Sequence, residues 1–69
     1  MKKPNADRYD PDPRYLRGLI EAAGMTQLEA AARIGIDGRT IRRYLADKGT
    51  PAYRAAPYPV QYALEALAD

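Results

Sequence analysis

A chain of 69 residues without cysteine or histidine is one small domain with neither a disulfide framework nor a Cys/His zinc site. Its formal charge is only +2 at neutral pH, too little to mark a polyanion-binding protein by itself. Serine is absent too. Neither a Ser-His nor a Cys-His nucleophile pair can be built, and so short a chain has little room for an enclosed pocket. No enzyme, metal site, cofactor or small-molecule ligand is expected.

Residues 1–11 are polar, carry Pro4 and Pro11 and show no periodicity, which predicts a flexible N-terminal arm. Lys2 and Lys3 on it read as solvated lysines. The lysines have no apolar run behind them, so this is no signal peptide, and no stretch approaches the length of a membrane span. The location expected is the cytoplasm, with no membrane partner.

Asp12-Pro13 opens a first helix over about 12–23, with Asp as N-cap and Pro at the first helical position. Leu16, Leu19, Ile20 and Ala23 form its buried stripe, Gly18 suggests close packing on a neighbour, and Gly24 ends it. Thr26-Gln27-Leu28-Glu29 is a capping box that starts a second helix over 27–34, with Ala30, Ala31 and Ile34 inward. Gly35 stops it. Asp37 then caps a third helix over about 38–47, with Ile41, Tyr44 and Leu45 inward. Residues 50–59 hold Pro51, Pro57 and Pro59 and predict an extended strap. A last helix runs from about Pro59 to Ala68 with Val60, Ala63, Leu64 and Leu67 on one face.

The fold class predicted is therefore all-α: a compact four-helix helix-turn-helix domain of the Cro/repressor-like kind with an N-terminal arm. Its divisions are the arm at 1–11, a DNA-binding core at 12–49, and a strap with the C-terminal helix at 50–69. The spacing carries this reading. Counting Gln27 as first, Ala31 is fifth, Gly35 ninth and Ile41 fifteenth. The fifth must be small because the third helix crosses there, the ninth must tolerate positive φ, and the fifteenth packs the third helix onto the second.

The outward face of the third helix then presents Gly38, Arg39, Arg42 and Arg43. The three arginines stand at i, i+3, i+4 and share one face. The first half of such a helix meets base edges, and Arg bonds guanine O6 and N7 with two donors. Arg39 and Arg42 are read as base contacts, and Arg43 as a base or phosphate contact. Gly38 either makes the helix start permissive or lets the backbone approach DNA closely. The alternative for the arginines is a solvated basic face paired with Asp47 or Glu29. Thr26 and Gln27, where free amides and the helix dipole attract phosphate, join Arg33, Lys48 and Arg54 as phosphate contacts. From Arg33 to Arg54 the chain has six basic residues and two acids, Asp37 and Asp47, so the basic surplus is local.

A domain of this size buries about 60% of the surface its unfolded chain exposes, so a second copy is the expected source of added stability. Tyr53, Tyr58, Val60, Tyr62, Leu64 and Leu67 are read as a homodimer seam, since tyrosine is enriched at interfaces. The competing reading packs the tyrosines on their own domain. With no room for a sensor, control is expected from protein concentration alone.

Two flanking stretches carry a family resemblance. They run Asp10-Pro11-Asp12-Pro13-Arg14-Tyr15-Leu16-Arg17-Gly18-Leu19-Ile20 and Tyr53-Arg54-Ala55-Ala56-Pro57-Tyr58-Pro59-Val60-Gln61-Tyr62-Ala63-Leu64-Glu65-Ala66-Leu67-Ala68. With the Gln27-to-Leu45 unit between them, the chain resembles the anti-CRISPR-associated (Aca) regulators of phages over about residues 10–68. That resemblance implies a dimeric autorepressor in a bacterial host, acting on an anti-CRISPR operon promoter through an inverted-repeat operator, with the dimer held by the C-terminal region. It also implies DNA contact at Gln27 and Arg39. The chain departs from the pattern at Leu28 and Glu29, where basic residues are expected, and Glu29 places a negative charge near the phosphate position. Two further readings are a protein-binding helix-turn-helix adaptor and an antitoxin-like regulator that binds both DNA and a protein.

Overall fold

A computed structural model describes residues 8–69, and each helix start in it is set by a nearby capping group or proline. α1 (Pro13–Ala22) begins where the Asp12 carboxylate accepts the Arg14 amide at 2.9 Å, with Pro13 in the first turn. α2 (Gln27–Ile34) carries the full capping box: the Glu29 amide donates to Thr26 Oγ1 at 3.1 Å, and the Thr26 amide donates to Glu29 Oε1 at 3.0 Å. α3 (Gly38–Leu45) begins at Asp37, whose carboxylate accepts the Thr40 amide at 2.7 Å. α4 (Tyr58–Ala68) has no side-chain cap; Pro57 precedes it and Pro59 sits in its first turn. No strand occurs among the described residues.

α3 stops two residues before the expected boundary. Ala46 is extended, with ψ 157°, and the Asp47 carbonyl instead accepts the Thr50 amide at 3.0 Å and the Thr50 hydroxyl at 2.8 Å. That turn launches the strap. α4 starts one residue earlier than expected, which leaves Pro59 in the first turn, where its missing N–H removes no helical bond.

α1 packs against α4 and α3, and α2 packs against α3 and α4. One core results: Leu16 and Ile20 from α1, Ala30 and Ala31 from α2, Ile41 and Leu45 from α3, Ala56 from the strap and Leu64 from α4. Each fully buried Leu or Ile contributes on the order of 1.5–3 kcal/mol. The alanines on α2 let the neighbouring backbones close in without a void.

Three expectations are corrected here. The sequence assigns Leu64 to the dimer seam, but Leu64 is 1% exposed within this chain because it fills the shared core. Val60 and Leu67, assigned to the same seam, are only partly buried, with one side against that core, so for them the correction is confined to that side. Gly18 is expected to permit close helix packing. It is exposed, and a Cβ there would meet nothing within 4 Å, so nothing in the structure explains it.

The sequence places the N-terminal arm at 1–11. Residues 1–7 lie outside the described residues, but 8–10 are tied down. Gln61, 0% exposed, donates from Nε2 to the Arg8 carbonyl at 2.9 Å and accepts the Asp10 amide on Oε1 at 2.8 Å. The Tyr9 hydroxyl donates to the Ala56 carbonyl, and its ring meets Tyr58 edge-on at 6.1 Å. Tyr58 meets Tyr62 at 6.4 Å in the same manner. A buried amide whose partners are chain-distant backbone groups holds this segment to α4.

Between α2 and α3, Gly35 stands at φ +84°, with its amide on the Ala31 carbonyl at 2.9 Å. A Cβ there meets no atom within 4 Å, so a substitution carries backbone strain without a clash. Gly35→Ala is expected to cost about 1–2 kcal/mol and to lower the melting temperature by about 4–8 °C per kcal/mol. A circular-dichroism melt measures it, and an unchanged melt would remove the left-handed turn from the account.

Candidate nucleic-acid interface

The turn at Gly35 packs α2 against α3 and brings Leu28 of α2 beside Gly38 at the start of α3. Ile41 is fully buried and Leu45 nearly so, while Tyr44 is half-buried against the core. This fixes the rotation of α3 about its axis. Arg39, Arg42 and Arg43 consequently point outward, and all three are exposed. Among the described residues none of them forms a salt bridge: the three ion pairs present are Arg14–Asp12, Arg17–Asp47 and Lys48–Asp12. Asp47, offered in the alternative reading as a partner for the arginine face, pairs instead with Arg17 at 3.6 Å. Glu29, the other partner offered, is engaged by Thr26. The guanidiniums stand exposed on one face, with the Asp37 carboxylate near enough to Arg39 to feel its charge.

The phosphate set is distributed more widely. Thr26 and Gln27 are exposed at the start of α2, and the amides of Gln27 and Leu28, in the first turn, have no intrahelical acceptor. The exposed Arg54 is held near α3 by its backbone: its amide donates to the Arg43 carbonyl at 3.2 Å, which lays the strap beside the end of α3. Lys48 lies 3.8 Å from Asp12 Oδ2, so part of its charge is engaged at the start of α1. Arg33 sits in the last turn of α2, roughly 9 Å along the axis from Gln27 at 1.5 Å per residue. The structure does not bring it together with Thr26 and Gln27.

Gly38 receives a local explanation. A Cβ on it would stand 2.5 Å from Leu28 Cδ2, so a side chain from α2 already occupies the space beside the first residue of α3. The departure at Glu29 is also resolved locally. Its carboxylate turns back onto its own helix start, and its acid is held below the ordinary value chiefly by the Thr26 amide and then by the Thr26 hydroxyl.

A family comparison matches this arrangement: the helix-turn-helix family model aligns with residues 16–56, more than half of the chain. The chain belongs to the helix-turn-helix family. This is a family of DNA-binding transcription regulators, in the Cro/repressor-like fold that the four helices also display. No curated protein matches the chain. The matched span of this helix-turn-helix regulator ends at Ala56, before α4. The described residues contain no helix long and apolar enough to cross a membrane.

Sequence reasoning missed Leu28 and Gln61. Leu28 is 55% exposed and stands out in the sequence only as a departure from a family pattern. Gln61 precedes Leu64 by three residues on α4, and that spacing could have flagged a polar group on the buried stripe.

The carboxylates that shape the regulator set its pH response. Asp12, Glu29 and Asp37 are each held below their ordinary values, first by the backbone amides of Arg14, Thr26 and Thr40 respectively. A depressed folded-state pKa contributes stability above the ordinary value, and that contribution is lost as pH falls through the folded value. Tyr15 moves the other way. Its hydroxyl donates to Glu65, and that bond, with desolvation second, pushes its pKa from 10.0 up to about 12. Its contribution is present below pH 10 and lost as pH rises towards 12. With no His or Cys, no side chain titrates between. Thermal melts are expected to be level from about pH 5 to 9, lower below pH 4 and lower again above pH 10. A transition near pH 6–7 would contradict this assignment.

Proposed function

We propose that this regulator is a sequence-specific repressor that binds double-stranded DNA as a homodimer on an inverted-repeat operator. Arg39, Arg42 and Arg43 read base edges in the major groove. Thr26, Gln27 and Arg54 contact the flanking phosphates, and Lys48 and Arg33 contribute more distant charge. The observation that carries the reading is the arginine face of α3: three exposed guanidiniums, none in a salt bridge among the described residues, on a helix whose inner side is fixed by Ile41 and Leu45. A basic face at the reading end of a helix-turn-helix unit suits both phosphate attraction and guanine recognition.

Two copies follow from the size of the reading element. Eight residues make a helix about 12 Å long, which overlies only three to four base pairs at about 3.4 Å each. Two such helices about 34 Å apart read two half-sites one DNA turn from each other. The exposed tyrosines Tyr9, Tyr15 and Tyr62 supply the seam: Tyr9 and Tyr62 both meet the half-buried Tyr58 on α4, and Tyr15 reaches Glu65 of α4. Sited over a promoter, such a dimer excludes polymerase. The likeness to anti-CRISPR-associated regulators supports an anti-CRISPR operon as the target, with autorepression in the cytoplasm of a bacterial host.

Fluorescence anisotropy against labelled DNA from directly upstream of the gene, beside a scrambled duplex and at several salt concentrations, tests this. Preferential upstream binding is expected, and its logarithm should fall linearly with the logarithm of salt, by about 0.9 per neutralised phosphate. Equal, weak binding to both duplexes would turn the assignment to a protein-binding module.

A further inference from the structure

We infer that Leu28 reads DNA: its isobutyl group packs on the C5-methyl of a thymine next to the bases met by Arg39. The inference rests on the base-reading role of α3 and adds to it a residue from α2. Of the large apolar side chains exposed among the described residues, Leu28 is the most open at 55%; the others, Tyr9, Tyr15 and Tyr62, are tyrosines. Those three have a polar tip that tolerates water, whereas leucine has none.

Its seat is specific. The Leu28 Cδ2 stands 2.5 Å from the position a Gly38 Cβ would take, so a side chain at residue 38 would displace the end of the leucine from this position. Gly38 opens α3, and the opening residues of this helix are those that meet base edges. At that position the regulator therefore presents an apolar group supplied by the neighbouring helix. It stands beside Arg39, the next residue, which is exposed. The apolar feature that base edges offer in the major groove is the thymine methyl. The acid beside Leu28, Glu29, is bonded back to Thr26 and turned to its own helix start.

The experiment selects binders from a randomised duplex library with the wild-type protein. Each thymine of the enriched duplex is then replaced in turn by deoxyuridine, which removes only the methyl group. Anisotropy is read for wild type, Leu28→Ala and Gly38→Ala. One thymine per half-site is expected to weaken wild-type binding roughly fourfold when demethylated, the scale of one buried methyl-sized group. The same replacement is expected to leave Leu28→Ala unaffected. Gly38→Ala keeps the leucine but displaces its flexible end. It should lose the methyl discrimination while melting no lower than wild type, since alanine suits a helix better than glycine.

An enriched duplex with no methyl-sensitive position would overturn the inference and leave base reading by α3 standing. Equal sensitivity in Leu28→Ala would do the same. Failure to enrich any sequence would overturn base reading itself, and this inference with it.

Discussion

Leu64→Ala is expected to lower the unfolding free energy by about 2–5 kcal/mol, the range for a leucine deleted from a packed core. Leu64 is 1% exposed within a single chain and shares its cluster with Leu16, Ile20, Ile41 and Leu45. Its removal leaves a cavity where α4 meets the rest of the domain. Small domains have total stabilities near the low end of about 5–15 kcal/mol, so the variant should be partly unfolded at 37 °C. Urea unfolding at two protein concentrations separates this from an interface role. A core residue gives the same loss at both concentrations. A residue in a dimer seam gives a loss that depends on concentration, because association stabilises by mass action. Tyr62→Ala is the companion variant: Tyr62 is 42% exposed, and its truncation should weaken association more than it weakens the fold. If Leu64→Ala proved harmless, α4 would not belong to the core described above.

The helix-turn-helix unit was legible because every determinant of it is local. The Thr26 and Glu29 cap, the small Ala31, the left-handed Gly35 and the inward Ile41 lie within a stretch of sixteen residues, and each answers to a rule of spacing. The arginine face was legible for the same reason, as three residues at helical period opposite an apolar stripe. What escaped depends on partners far along the chain. Gln61 is buried because the carbonyl of Arg8 and the amide of Asp10 reach it from the other end of the sequence, and no periodicity in α4 announces them. The expected apolar row of α4 was Val60, Ala63, Leu64 and Leu67, whereas burial is deepest at Gln61 and Leu64. The helix is rotated towards its polar neighbour because that residue holds residues 8–10. The end of α3 was misplaced for a different, local reason: the Thr50 hydroxyl and amide both bond the Asp47 carbonyl and form a turn there. Leu28 stood out only as a departure from a family pattern, because its seat is the missing side chain of Gly38, ten residues on.

The paired substitution of Arg39 and Arg42 by alanine is the second large effect. A bidentate arginine-to-guanine bond pair discriminates against the wrong base by about 1–3 kcal/mol, or roughly 5- to 150-fold, at 1.4 kcal/mol per decade. Each single variant should lose selectivity on that scale, and the double variant should bring upstream and scrambled duplexes to nearly equal affinity. Folding gives no alternative explanation. Both side chains are exposed and, among the described residues, neither forms a salt bridge, so melts should remain at the wild-type temperature. Arg54→Ala supplies the contrast. It removes a charge that the strap places beside α3, so both duplexes should weaken by the same factor, with a salt slope shallower by about 0.9 for each phosphate left without its cation. The two patterns separate recognition from attraction. If Arg39→Ala and Arg42→Ala weakened both duplexes equally, like Arg54→Ala, the face of α3 would hold phosphate only, and base reading would have to come from the start of α2.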